Sequence, residues 1–181
     1  LAGFAALITQ WQLISWLPIF APIIAVAVYE TIKRRERSLV SGWSTVLAAA
    51  MMLPTVASIS TSGTPAAVSA DLWWATAWFA LYFGGSIYYV KTLIRDFGNH
   101  ARFIQSVGFH AAVFIGAIAL AVAQPHTWPV AVVGALLAAR SYAVPRIAQR
   151  RGKRIPPKYV GMIDGLVTVF VVVAAFAAFG S

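Results

Sequence analysis

Cysteine is absent from the 181 residues. That excludes disulfides, thiolate nucleophiles and Cys-ligated metals. Histidine is rare: His100, His110 and His126 are spread out and form no metal-ligand spacing. Charge is scarce too, at 10% of residues. No strand-like alternation of apolar and polar residues is visible, which argues against a β-barrel. No internal repeat and no soluble domain can be found.

What fills the chain is apolar. Hydrophobic residues make up 60% of it, and mean hydropathy is +0.78. Runs of about 20 such residues, enough to span a bilayer, recur throughout. Helices are the economical way to satisfy the backbone in lipid. The expected fold is therefore all-α, a polytopic transmembrane helix bundle. Six spans are read at about 13–32, 39–60, 72–92, 104–123, 129–145 and 160–180, after a partial segment at 1–9. All 181 residues read as a single transmembrane helical domain. The opening "LAGFAALITQW" lacks a charged leader and starts inside an apolar run. It reads as the tail of a helix, so the chain is expected to be the C-terminal part of a longer protein.

The fourteen cations sort by loop. Four (Lys33, Arg34, Arg35 and Arg37) lie in the first loop. Three (Lys91, Arg95 and Arg102) lie in or beside the third, and the remaining seven, from Arg140 to Lys158, in or beside the fifth. The second and fourth loops carry none. Cytoplasmic loops collect Lys and Arg. Loops one, three and five are thus expected in the cytoplasm, with the C-terminus outside. Trp11, Trp16, Trp73, Trp74 and Trp128 open spans as interfacial aromatics. The basic loops read as anchors on anionic lipid. Pressed against a membrane, they are not expected to bind nucleic acid.

Charges at bilayer depth mark functional or paired positions. Arg140 and Asp164 each lie six residues inside the cytoplasmic ends of adjacent spans, about 9 Å deep. They are expected to pair, either as the polar floor of a ligand cavity or as an ion pair locking two helices. His110 sits about two turns inside its span, with Ser106 and Phe114 on the same face. It is either hydrogen-bonded between helices or part of a ligand site. In "LYFGGSIYYVKTLIRDFGNHARF", Tyr88, Lys91 and Arg95 share one helical stripe, and Tyr89, Thr92 and Asp96 the next. The cations would suit an anionic headgroup or pyrophosphate. Asp96, with Asn99, would suit Mg²⁺. Gly84 and Gly85 permit close helix approach.

Several stretches resemble the bacterial YwiC-like membrane protein family: "ERSLVSGWSTVLAAAMMLPTV", "YFGGSIYYVKTLIRDFGN", "LLAARSYAVPR" and "PPKYVGMIDG". The likeness is read from about Glu36 to the end, strongest at Tyr89–Arg95 and around Arg140 and Asp164. A fainter likeness is to the later helices of UbiA-type intramembrane prenyltransferases. "VYETIKRRER" is similar to the Tyr-and-cation loop of those enzymes. "IRDFGNHARF" is similar to their second Asp-rich motif, with Asn99 or His100 where a second carboxylate is expected. That resemblance implies a UbiA-like topology and Mg²⁺. It also implies a lipid, isoprenoid or prenyl pyrophosphate in a cytoplasm-facing cavity of a bacterial cytoplasmic membrane protein, with prenyl transfer as a divergent activity. The ligand candidates are Tyr29, Tyr88, Lys91, Arg95, His110, Arg140 and Asp164; the metal candidates are Asp96 and Asn99. Two other functions remain open. One is a structural or accessory subunit of a membrane protein complex, packing through small-residue faces such as Ala48–Ala50. The other is a transporter using Pro18, Pro22, Pro54 and the buried charges.

Overall fold

The computed structural model describes residues 11–35 and 37–180. The partial segment expected at 1–9 lies outside the described residues. Six α-helices follow in order: α1 (Leu17–Ile32), α2 (Leu39–Ser58), α3 (Ala70–Leu93), α4 (His100–Ala123), α5 (Trp128–Arg150) and α6 (Pro157–Phe179). Short 3₁₀ segments precede α1, α3 and α5. No strand occurs among the described residues. The fold class is the one the apolar runs imply.

Among the described residues, five stretches are long and apolar enough to cross a membrane: Trp11–Ile32, Leu39–Ser58, His100–Ala123, Pro125–Arg150 and Pro157–Phe179. The helix left over is α3. It is long enough, at 24 residues, but Trp73, Trp74, Trp78, Tyr82, Tyr88 and Tyr89 take the place of aliphatic residues along it. The helices turn large apolar side chains outward. On α6 alone Leu166, Val169, Phe170, Val173 and Phe176 are exposed. A contiguous apolar face of this kind is rare on a protein solvated by water and normal on one solvated by lipid.

By compactness the chain divides into two units, residues up to Ala80 and residues from Leu81, the division falling inside α3. In the first unit α1 and α2 pack together. Trp16 is almost fully buried, and its indole Nε1–H donates to the Gly63 carbonyl at 3.1 Å. Ser38 caps α2: its Oγ accepts from Ser41 N and donates to the buried Glu30 carboxylate. That single hydroxyl joins the end of α1 to the start of α2. Pro18 stands in the first turn of α1, where its missing N–H costs nothing, whereas Pro22 and Pro54 are interior.

In the second unit α4 packs along α5, and α5 along α6. Tyr89, Leu93 and Val160 form a buried cluster, with Val90, Ile94, Val144 and Ile155 against it. The ends of these helices are chemically fixed. Asn99 Oδ1 accepts from Arg102 N at 3.2 Å and starts α4. At the end of α5, Gly152 takes φ +62°. Its N–H donates to Gln149 O, and Lys153 N–H donates to Ala148 O. This is a Schellman turn, which needs a residue at ease in the left-handed region. Pro156 and Pro157 then hold the chain extended into the first turn of α6.

Candidate functional site

Tyr82, Arg140 and Thr168 of the second unit converge on Asp164. Arg140 Nη1 donates to Asp164 Oδ1 at 2.8 Å. The Arg140 side chain is 10% exposed and that of Asp164 is 23% exposed. The guanidinium lies over the Tyr89 ring, 4.2 Å from its centroid. Its Nε and Nη2 are buried with no hydrogen-bond partner among the described residues. Contact with the ring face offsets part of that deficit.

The main chain of Asp164 is held as firmly as its side chain. Thr168 Oγ1 donates to the Asp164 carbonyl at 2.8 Å. The Tyr82 hydroxyl lies 2.7 Å from Thr168 Oγ1 and 3.1 Å from the same carbonyl. Thr168 has one proton and spends it on the carbonyl, so the single Tyr82 proton serves both of its contacts, the Thr168 oxygen and the Asp164 carbonyl. Tyr82, Tyr89 and Thr168 were not among the candidates from sequence. The seven-residue spacing of Tyr82 and Tyr89 puts both on one face of α3.

His110 is 4% exposed. Its Nδ1 lies 2.8 Å from the Ser106 carbonyl, which can only accept, so Nδ1 carries the proton. The Nε2 side of the ring faces Gly85, where an added Cβ would stand 3.0 Å away. The glycine is what lets the imidazole lie against α3. Tyr88 stacks on Phe109 with ring centroids 5.0 Å apart.

Lys91 and Arg95 come together at the end of α3. With Ile87, Val90, Ile94 and Pro157 they line a cavity of about 360 Å³. Asp96 and Asn99 turn to other tasks. Asp96 Oδ2 lies 3.6 Å from Arg102 Nε, and Asn99 Oδ1 is the α4 cap. No group of three or more His, Asp or Glu that could hold a metal ion occurs among the described residues. Mg²⁺ on a diphosphate asks for more carboxylate than Asp96 alone supplies, so the donor set does not fit the ion and no step below runs through it. Tyr29 belongs to the first unit, where it is exposed and Lys33 Nζ lies 5.8 Å from its ring centroid. Arg140, Asp164, Tyr88, Lys91, Arg95 and His110 all belong to the second.

Known proteins add one family-model match and one relative. Residues 1–57 match the model of the YwiC-like protein family. The match covers the start of the chain and meets the stretch read from sequence only over 36–57. An uncharacterised protein of Haemophilus influenzae is 28% identical over 163 residues, which is 90% of this chain and 62% of that relative. The chain thus spans under two thirds of that relative's length. No solved structure matches this chain. The family match and the apolar helices together mark it as a multi-pass integral membrane protein.

Proposed function

We propose that this protein binds an anionic lipid or isoprenoid at the ends of α3 and α6, on the cytoplasmic side of a bacterial inner membrane. The observation that carries the reading is the cavity of about 360 Å³. Lys91 and Arg95 supply the charge for a phosphate or pyrophosphate head, and Ile87, Val90 and Ile94 supply an apolar wall for the tail. A volume of this size lies at the small end of ordinary ligand sites. The cation-rich loops support a cytoplasmic position for this end, with the C-terminus outside. Three apolar helices follow Asp96, the order that a UbiA-like bundle requires. The reading is one of binding. Prenyl transfer would add a demand for metal-binding carboxylates, and Asp96 is the lone acid between Asp71 and Asp164.

Farnesyl pyrophosphate binding to the full-length protein in detergent tests this reading, with and without Mg²⁺. Each charge-assisted contact at a wet site contributes about 1.5 kcal/mol, so Lys91→Gln with Arg95→Gln should weaken binding by tenfold or more. Binding that ignores the double variant, or no binding in either condition, refutes the site.

A further inference from the structure

A second cavity, of about 380 Å³, lies where α5 hands over to α6. Val144, Ile147, Ala148, Ile155 and Pro156 give it apolar walls, and Arg151, Lys153 and Arg154 give it a basic rim. We infer that this cavity is a binding site for the headgroup of an anionic phospholipid, whose acyl chain runs down the exposed apolar side of α5. It shares no lining residue with the Lys91–Arg95 cavity and does not depend on the function proposed there.

Charge is the first argument. Between Arg140 and Asp164 the sequence holds no carboxylate, while Arg146, Arg150, Arg151, Lys153, Arg154 and Lys158 are all cationic. Among the described residues, no salt bridge engages Arg151, Lys153 or Arg154. Basic pockets at the ends of membrane helices are the usual recognition sites for anionic headgroups.

The second argument is that the site is built rather than frayed. Val144 and Ile155 pack against the Tyr89–Leu93–Val160 cluster, so the cavity floor is the core of the unit. The Schellman turn at Gly152 fixes where Lys153 leaves the helix. The Arg154 guanidinium lies 5.7 Å from the Phe97 ring centroid, which orients it while leaving N–H edges for a phosphate. Arg146, by contrast, is turned to the Phe103 and Tyr142 rings and is not part of the lining.

The third argument is length. Ile147 is exposed, and Leu136, eleven residues earlier, is exposed too. Eleven residues are about three helical turns, so the two lie on one side of α5, roughly 16 Å apart. One leaflet of the hydrocarbon core is about 15 Å deep. An acyl chain whose headgroup sits in the cavity therefore has apolar side chains at both ends of that run, with Ala139 and Ala143 between them and the Arg140 head turned away to Asp164. A soluble phosphate would use the rim alone and leave the wall unused.

Native mass spectrometry of the full-length protein tests the assignment, with dioleoyl phosphatidylglycerol, dioleoyl phosphatidylcholine or inorganic phosphate as the added probe. Phosphatidylglycerol should bind at least tenfold more tightly than phosphatidylcholine. The variant Arg151→Gln/Lys153→Gln/Arg154→Gln should lose that preference, and Lys33→Gln/Arg34→Gln/Arg35→Gln, altered on the first loop, should keep it. The single variants Lys153→Gln and Arg154→Gln should each lose about threefold, which keeps the test open if the triple variant fails to fold. No preference in the unaltered protein overturns the proposal, as does equal loss in both triple variants, which would indicate diffuse attraction. Displacement of the lipid by equimolar inorganic phosphate overturns it as well, in favour of a soluble ion site.

Discussion

Removing one partner of the Arg140–Asp164 pair should be costly, and the two removals should differ. Taking away the partner of a fully buried charge costs about 3–5 kcal/mol. In Arg140→Met the charge left behind is the Asp164 carboxylate, whose side chain is 23% exposed. That side chain lies nearer the surface of the helix bundle, which brings the cost down to about 2–3 kcal/mol. In Asp164→Leu the charge left behind is a guanidinium only 10% exposed, with Nε and Nη2 already lacking acceptors. The substitution removes the acceptor of its Nη1 hydrogen bond. Stacking on Tyr89 is present before and after the substitution and returns nothing, so the cost stays near about 4 kcal/mol. Arg140→Met/Asp164→Leu leaves no charge behind and should lie within about 1 kcal/mol of the unaltered protein. Thermal unfolding in detergent, followed by tryptophan fluorescence, should give an order of midpoints: double variant highest, Arg140→Met next, Asp164→Leu lowest. At about 2–4 °C per kcal/mol for a chain of this size, the lowest should fall by at least about 8 °C. If the double variant is as unstable as either single one, the two side chains do not act as a pair. If Arg140→Met is the worse single variant, the burial argument is wrong. The same double variant separates the two roles the pair can have. A stable protein that still binds farnesyl pyrophosphate has an ion pair that only locks helices, and a stable protein that has lost binding has a polar cavity floor.

Two further outcomes follow from close contacts. Gly85→Ala sets a Cβ 3.0 Å from His110 Nε2 and 3.1 Å from Phe109 Cε1. The imidazole is held at Nδ1 and cannot swing away, so overpacking should cost about 1–3 kcal/mol, and adding His110→Ala should recover most of the lost melting temperature. In the first unit, Trp16→Phe keeps an aromatic ring but leaves the buried Gly63 carbonyl without its indole donor. It should destabilise by about 1–3 kcal/mol, while Trp11→Phe, at an exposed position, should change the denaturation midpoint very little.

Apolar run length made the helices legible. The span read at 39–60 is α2 at Leu39–Ser58, and that read at 160–180 is α6 at Pro157–Phe179. The ends are harder, because charged residues beside an apolar run look like loop. The sequence suggests a span from 104, but α4 begins at His100 because Asn99 caps it. Asparagine before a helix is a strong start signal, and the Asn99 side chain serves as that cap. Likewise α5 continues through Pro145 to Arg150, so Arg146 is helical and stacked rather than loose. Depth counting from the cationic boundary brought Arg140 and Asp164 to one level, because both helices are regular. Tyr82 and Thr168 were not legible in that way. Each is an ordinary helix residue until a third helix arrives, and packing of that kind leaves no local trace in composition.

Asp164 has an effect beyond its charge. Its carboxylate is held from α5 by Arg140, and its carbonyl from α3 by Tyr82 and from within α6 by Thr168. Three helices are therefore tied at one residue, by side chain and main chain at once. A helix gripped at a single point can still slide or turn about it, but one gripped at both ends of the same residue resists rotation as well as translation. Around Asp164 the second unit should move as one solid piece. Any opening that admits a ligand must then come from the joints beyond it, at 94–99 and 151–157, where chain reversals replace interhelical bonds. Both cavities have residues in those joints.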